Sequence, residues 1–169
     1  VHARTGRGIR WRAVGENGAT ALALRQRFLD EALSAPADLL FLTVGANDAL
    51  ALRSAAVFAR DVRHILSAFD ARNPDAFVLM SSLPVFGRFE LLPQPLRTAL
   101  YRHSLALEGA ARAVIDGRPR SLMSSDPPPY SEDFWAPDLF HPSASGYRDW
   151  ADWAVDEAWD RGLDVLAEP

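Results

Sequence analysis

Asp138 and His141 stand three residues apart in the stretch APDLFHPSASGY (136–147), and Pro142 follows directly. A carboxylate held beside an imidazole accepts the proton of one ring nitrogen and leaves the other free to act as a base. The same pattern also fits a loop that merely closes onto a helix. Ser143 and Ser145 lie too close to His141 in sequence to be its partner and read instead as caps of the helix that follows. Two further stretches offer donors for a developing negative charge. In GAND (45–48) the Asn47 amide follows an apolar run and either projects as a donor or caps the next helix. Gly18 in ENGAT is either a flexible turn or a place where a backbone N–H can approach a ligand closely. One such donor is worth roughly 3–4 kcal/mol to an oxyanionic transition state.

Composition removes several alternatives. The chain has no cysteine, which excludes disulfides, thiol nucleophiles and thiolate metal sites, and leaves the redox compartment open. All 18 basic residues are arginine, so Schiff-base chemistry, a Ser-Lys dyad and a P-loop lysine are excluded as well. A net charge of -4 gives no support for nucleic-acid binding. No apolar run approaches the ~18 residues of a membrane span. One histidine with scattered carboxylates falls short of a catalytic zinc set, no Gly-rich phosphate fingerprint is present, and no cofactor is expected. His2, His64 and His103 read as structural or solvated.

The elements that must carry these residues follow from periodicity. IRWRAV (9–14) alternates and predicts a half-buried strand, and Thr20 can cap a helix bearing Leu22, Leu24, Phe28, Leu29 and Leu33. LLFLTV (39–44) and AFVLMS (76–81) are continuous apolar runs, as in strands covered on both faces. SLM (121–123) predicts a last short strand. Helices are predicted at about 54–72, 96–115 and 144–161, the last burying Tyr147, Trp150, Ala151, Ala154 and Ala158. DPPPYSEDFWAPD (126–138) is too proline-rich for regular structure. This alternation indicates one α/β domain over residues 1–169, a parallel sheet with helices on both faces. Ligands of such sheets bind beyond the carboxyl ends of the strands. Gly18, Asn47 and Ser81/Ser82 map to that rim, where one of these serines can line a pocket, and the Asp138–His141 loop can reach it. The connection at 83–95, with Phe86, Phe89, Leu91 and Leu92, is either an apolar lip for acyl chains or packing over the sheet edge.

In order, NGAT, GAND and DLFHP resemble the second, third and fifth blocks of the SGNH hydrolases, the GDSL-type lipases and esterases, over about residues 9–150. The resemblance implies a three-layer, flavodoxin-like fold and hydrolysis of small-molecule or lipid esters by a Ser-His-Asp triad. It implies that Gly18 and Asn47 are oxyanion-hole donors, His141 the general base and Asp138 its orienting partner.

The family's Gly-Asp-Ser block is absent from the chain, as is the G-x-S-x-G elbow of α/β-hydrolases. That block belongs one βα unit before IRWRAV, a distance of roughly 30 residues or more for a βαβ unit. Since Val1 is not an initiator methionine, the chain is expected to be N-terminally truncated, with the serine upstream of it. The strand carrying that serine would lie between those at 9–14 and 39–44. The alternative is a catalytically inactive module of the same fold that binds acylated sugars or lipids.

Overall fold

A computed structural model of the chain describes residues 1–126 and 130–167. Three parallel strands, β1 (Leu39–Leu42), β2 (Phe77–Met80) and β3 (Ser121–Met123), form a sheet in the order β1-β2-β3. Leu40 pairs with Val78, and Val78 with Ser121. Parallel neighbours need crossover connections, and the chain supplies helices for them. Short helical segments precede β1: α1 (His2–Thr5), α2 (Ala21–Ala23) and α3 (Leu29–Ala32), with a π-helical stretch at Leu24–Phe28 between the last two. A single-turn helix, α4 (Ala46–Leu50), leads into the long α5 (Ala55–Arg72) between β1 and β2. The connection from β2 to β3 runs through α6 (Leu96–Ile115), and α7 (Ala144–Trp159) follows β3.

Alternation along β2 divides the core into two layers. Val78 and Met80 face a cluster containing Phe58, Val62 and Leu66 of α5 and Leu107 of α6. Phe77 and Leu79 face the opposite side, with Leu122, Ala154 and Ala158. The result is a three-layer α/β/α arrangement of the flavodoxin-like type, with α5 and α6 on one face and α7 on the other. Among the described residues, no helix is long and apolar enough to cross a membrane.

The helix starts follow their caps. Thr20 accepts from the Ala23 N–H, Ser54 from Val57 and Ser143 from Gly146. Asn73 ends α5, donating to the Phe69 carbonyl while its own side-chain oxygen accepts from Ala37 N–H ahead of β1.

Two sequence expectations are corrected here. Residues 9–14 form no strand, and Trp11 is 83% exposed. A period-two pattern becomes a strand only where a sheet edge accepts its backbone. Here the segment is instead held by Arg12, which donates to the Ala32 carbonyl and to Ser34 Oγ. The outer edge of β1 therefore carries no ladder among the described residues. Tyr147 is 55% exposed rather than buried, because α7 meets the sheet through Ala154 and Ala158. The proline-rich expectation falls partly on residues 127–129, outside the described residues.

Leu79 is fully buried between β3 and α7. Its replacement by alanine is expected to cost roughly 2–5 kcal/mol through lost burial and a residual cavity. Urea denaturation should show a lower midpoint at an unchanged slope.

Candidate active site

The turn carrying His141 is closed by its own backbone. Trp135 and Pro142 form an isolated antiparallel bridge, Ala136 N–H donates to the His141 carbonyl (2.8 Å), and Ser143 N–H to that of Phe134 (2.7 Å). Inside this turn Asp138 has two roles. Its Oδ1 accepts from the backbone N–H groups of Phe140 (3.0 Å) and His141 (2.9 Å), and its Oδ2 lies 2.7 Å from His141 Nδ1. An ionised carboxylate can only accept, so Nδ1 carries the proton and Nε2 presents its lone pair. Among the described residues nothing bonds to Nε2, and the His141 side chain is 49% exposed. The bond from His141, then the two backbone donors, lowers the Asp138 pKa from 3.8 to about 2.

Phe140 fastens the turn to the core. Its ring lies 5.4 Å from Phe89, edge-on, and 5.2 Å from the His141 ring. Phe89 in turn packs against Trp135 at 4.8 Å. The first turn of α7 presses against the same loop: a Cβ on Gly146 would sit 2.2 Å from the Phe134 carbonyl oxygen. Ser143 Oγ caps α7 and donates to the Asp133 carbonyl, which Ser145 Oγ also reaches at 3.2 Å. Both serines are committed to this helix start, as expected from their position.

The other two candidates meet at the carboxyl end of β1. Gly18 adopts φ +83°, a conformation that side-chain-bearing residues rarely take. Gly45 adopts φ +118°, and a Cβ there would lie 2.8 Å from Leu83 Cδ1. Asn47 Nδ2 donates to the Ala19 carbonyl at 3.1 Å. Since an amide has two N–H donors, one remains for a ligand. Gly18 and Asn47 both line a cleft of about 380 Å³ with Thr43 and Val44.

The four residues thus form two pairs, Asp138 with His141 and Gly18 with Asn47, and the cleft of the second pair is not lined by the first. Leu83 and Phe89 belong to one buried cluster, against which Phe140 also packs. That cluster joins the two pairs through the core.

Ser81 and Ser82 are buried and do not line the cleft. Ser81 N–H donates to the Leu42 carbonyl, and Ser82 N–H to Ser124 Oγ (2.9 Å). Phe86 and Phe89 are buried in the core, so packing accounts for the aromatic part of the 83–95 connection, while Leu91 is exposed. Among the described residues no three His, Cys, Asp or Glu side chains gather as a metal site.

Sequence reasoning missed the charges behind Asn47. Asp48, fully buried, accepts from Ala21 N–H at the start of α2 (2.9 Å) and from Arg53 (2.6 Å). Arg53 also reaches Asp61, equally buried, at 2.6 Å. Arg25 Nε stands 3.2 Å from Asp61 Oδ1, near enough for charge attraction though not aligned as a hydrogen bond. The available signal was Asp61, a charge within the apolar stripe of Phe58, Val62 and Ile65 on α5.

A three-layer α/β sheet with a histidine–carboxylate pair in a loop after its last strand is an arrangement suited to nucleophilic acyl chemistry. The model of the GDSL-like Lipase/Acylhydrolase family matches residues 1–148, and the chain belongs to that family. Among solved structures it is similar to "Salicylyl-Acyltransferase SsfX3 from a Tetracycline Biosynthetic Pathway", at 19% identity and a TM-score of 0.54. The match covers 80% of this chain and 41% of that one, and the likeness is one of fold. A comparison with curated proteins finds no match.

Two outcomes are expected from this geometry. The Asp138 carboxyl should titrate in ¹³C NMR with a midpoint near 2, and a midpoint at its ordinary 3.8 would mean the pair does not form. Because the folded value is depressed, the pair's stabilising contribution is present above about pH 4 and is lost as pH falls toward 2. Gly146→Ala should destabilise the chain by roughly 1–3 kcal/mol in urea denaturation, since the helix start must move off Phe134.

Proposed function

We propose that the chain contributes the acid–base pair and the oxyanion donors of a serine-dependent carboxylic ester hydrolase. The observation that carries this reading is the 2.7 Å contact of Asp138 Oδ2 with His141 Nδ1, which leaves Nε2 as a half-exposed base. Family membership and the free N–H of Asn47 support it. The nucleophilic serine is proposed to lie on a segment preceding Val1, whose strand would pair with the outer edge of β1. That edge carries no ladder among the described residues, and an unpaired apolar edge is a ready template for a strand.

In this mechanism the serine Oγ attacks the ester carbonyl while its proton passes to His141 Nε2. Asp138 steadies the resulting imidazolium, and the Gly18 N–H and the Asn47 amide take the charge on the carbonyl oxygen. Collapse of the tetrahedral intermediate expels the alcohol, which takes its proton from His141. Water, activated by the same nitrogen, then attacks the acyl-serine carbonyl, and collapse of this second intermediate releases the acid. Attack by a second alcohol instead of water would make the same site an acyltransferase. The substrate class is a small-molecule or lipid ester.

A second reading is a catalytically inactive module that binds acylated sugars or lipids. It is favoured by one observation: among the described residues no serine hydroxyl contacts His141. The coding sequence upstream of Val1 separates the two. An in-frame Gly-Asp-Ser after an apolar strand supports the enzyme, and a start codon at residue 1 supports the module.

The test is a chain extended through that upstream segment and assayed on short-chain aryl esters. His141→Ala is expected to lower kcat on the order of 10⁴-fold, and Asn47→Ala by roughly 10²–10³-fold. Turnover unchanged by His141→Ala would sink the mechanism. Residues 1–169 alone should show no His141-dependent turnover.

A further inference from the structure

Among the groups that the proposed chemistry does not use, the buried charges around Arg53 are the most constrained. Arg53 follows the single turn of α4, and its guanidinium forks between two carboxylates that are both fully buried. One nitrogen lies 2.6 Å from Asp48 Oδ1 and another 2.6 Å from Asp61 Oδ2. Burial alone would lower the arginine pKa, yet the bonds to Asp61 and Asp48 hold it above its ordinary value. The fork is therefore charged, and each carboxylate is committed.

The connections on either side give this cluster its consequence. Asp61 belongs to α5, one of the helices packed on the sheet. Asp48 uses its second oxygen to hold the Ala21 N–H at 2.9 Å. Its chain neighbour Asn47 holds the Ala19 carbonyl, two residues earlier and next to Gly18. Two adjacent side chains of α4 thus grip the loop from Gly18 to Ala21, while Arg53 ties the base of that grip to α5.

We propose that Arg53 is a positioning residue that sets the Asn47 amide and the Gly18 backbone N–H in one frame, so that the two donors converge on a single oxygen. This rests on the reading of Gly18 and Asn47 as oxyanion donors. Arg53 does not line the cleft and acts through Asp48 and Asp61. A lysine cannot replace it, because one ammonium on a flexible stem cannot hold two carboxylates in the fixed geometry of a guanidinium. A rigid link suits the task, since a donor displaced by about 1 Å can cost roughly 10²-fold in rate.

Arg53→Lys tests this in two arms. In residues 1–169, amide exchange at Ala21 should quicken by about tenfold or more while Leu79 in β2 keeps its protection. The Asn47 side-chain amide signal should shift in the ¹H–¹⁵N spectrum. In the extended chain, kcat should fall roughly 10–100-fold with KM within about twofold, as expected for donors displaced from the transition state alone. Combined with Asn47→Ala, the Arg53→Lys loss should be clearly smaller than in the parent chain, since one of the two donors it aligns is already gone. A folded variant with unchanged Ala21 exchange and Asn47 signal, or a kcat loss fully additive with Asn47→Ala, would overturn the proposal. If Arg53→Lys does not fold, Asp61→Asn removes one arm of the fork and leaves the Asp48 contact. It should give smaller effects with the same coupling, and absence of that coupling overturns the proposal equally. Failure of the catalytic reading appears separately, as turnover unaffected by His141→Ala, and leaves the exchange arm to report on the clamp itself.

Discussion

The structure depends on burying β2 on both faces. All four of its residues, Phe77 to Met80, are removed from water, and its backbone bonds go to β1 on one side and β3 on the other. Burial of this kind leaves no water to satisfy polar groups where the strands end, so the protein must supply partners. Ser82 N–H takes Ser124 Oγ, Leu83 N–H takes Glu108, and Arg112 reaches the carbonyls of Met123 and Ser124. On the far side of β3, Ser125 is held by Glu157 of α7. The carboxyl rim is thus a braced surface. Gly45 has to lack a side chain because the chain leaving β2 places Leu83 against it.

The two ionic arrangements of the candidate site differ in kind. Asp138 and His141 are each about half exposed, so solvent screens their attraction and the pair counts for orientation more than for stability. In the cluster of Asp48, Arg53 and Asp61 both carboxylates are buried and the arginine is partly so, and desolvation opposes what attraction contributes. Buried ion pairs can often be replaced by apolar side chains at little cost in stability. Its consequence is therefore sought in geometry, and the geometry is specific: it joins α5, α4 and the loop from Gly18 to Ala21.

Much of the fold was legible because the apolar pattern had a single solution. The helix at 96–115 and the strand at 121–123 occur with the predicted limits, and the strands at 39 and 77 lie within their predicted runs. Residues 9–14 were misread because alternation is a property of the segment, whereas pairing is a property of the sheet, and no edge takes it up. Tyr147 was misread because small residues of α7 can approach the sheet more closely than an aromatic ring. At the site, the bond between Asp138 and His141 was legible from a spacing of three. The place of Asn47 was legible from the strand before it, whereas Gly18 reaches the same cleft although residues 9–14 ahead of it form no strand. Arg53 was not legible, because its partners are five and eight residues away and its effect falls on a loop some thirty residues earlier.

The spacing of three between Asp138 and His141 has a physical basis that joins local structure to chemistry. One carboxylate oxygen takes the backbone N–H groups two and three residues on, and this folds the turn. Leu139, between them, pays in conformation with φ +55°. With the turn closed, the side chain of the third residue returns over the other carboxylate oxygen, and Nδ1 meets it at 2.7 Å. The acid therefore does not wait in a preformed loop for its histidine, since the contact that shapes the loop also orients the ring. Phe140 packs edge-on against both the His141 ring and Phe89 of the aromatic cluster, so that core packing braces the ring that carries Nε2.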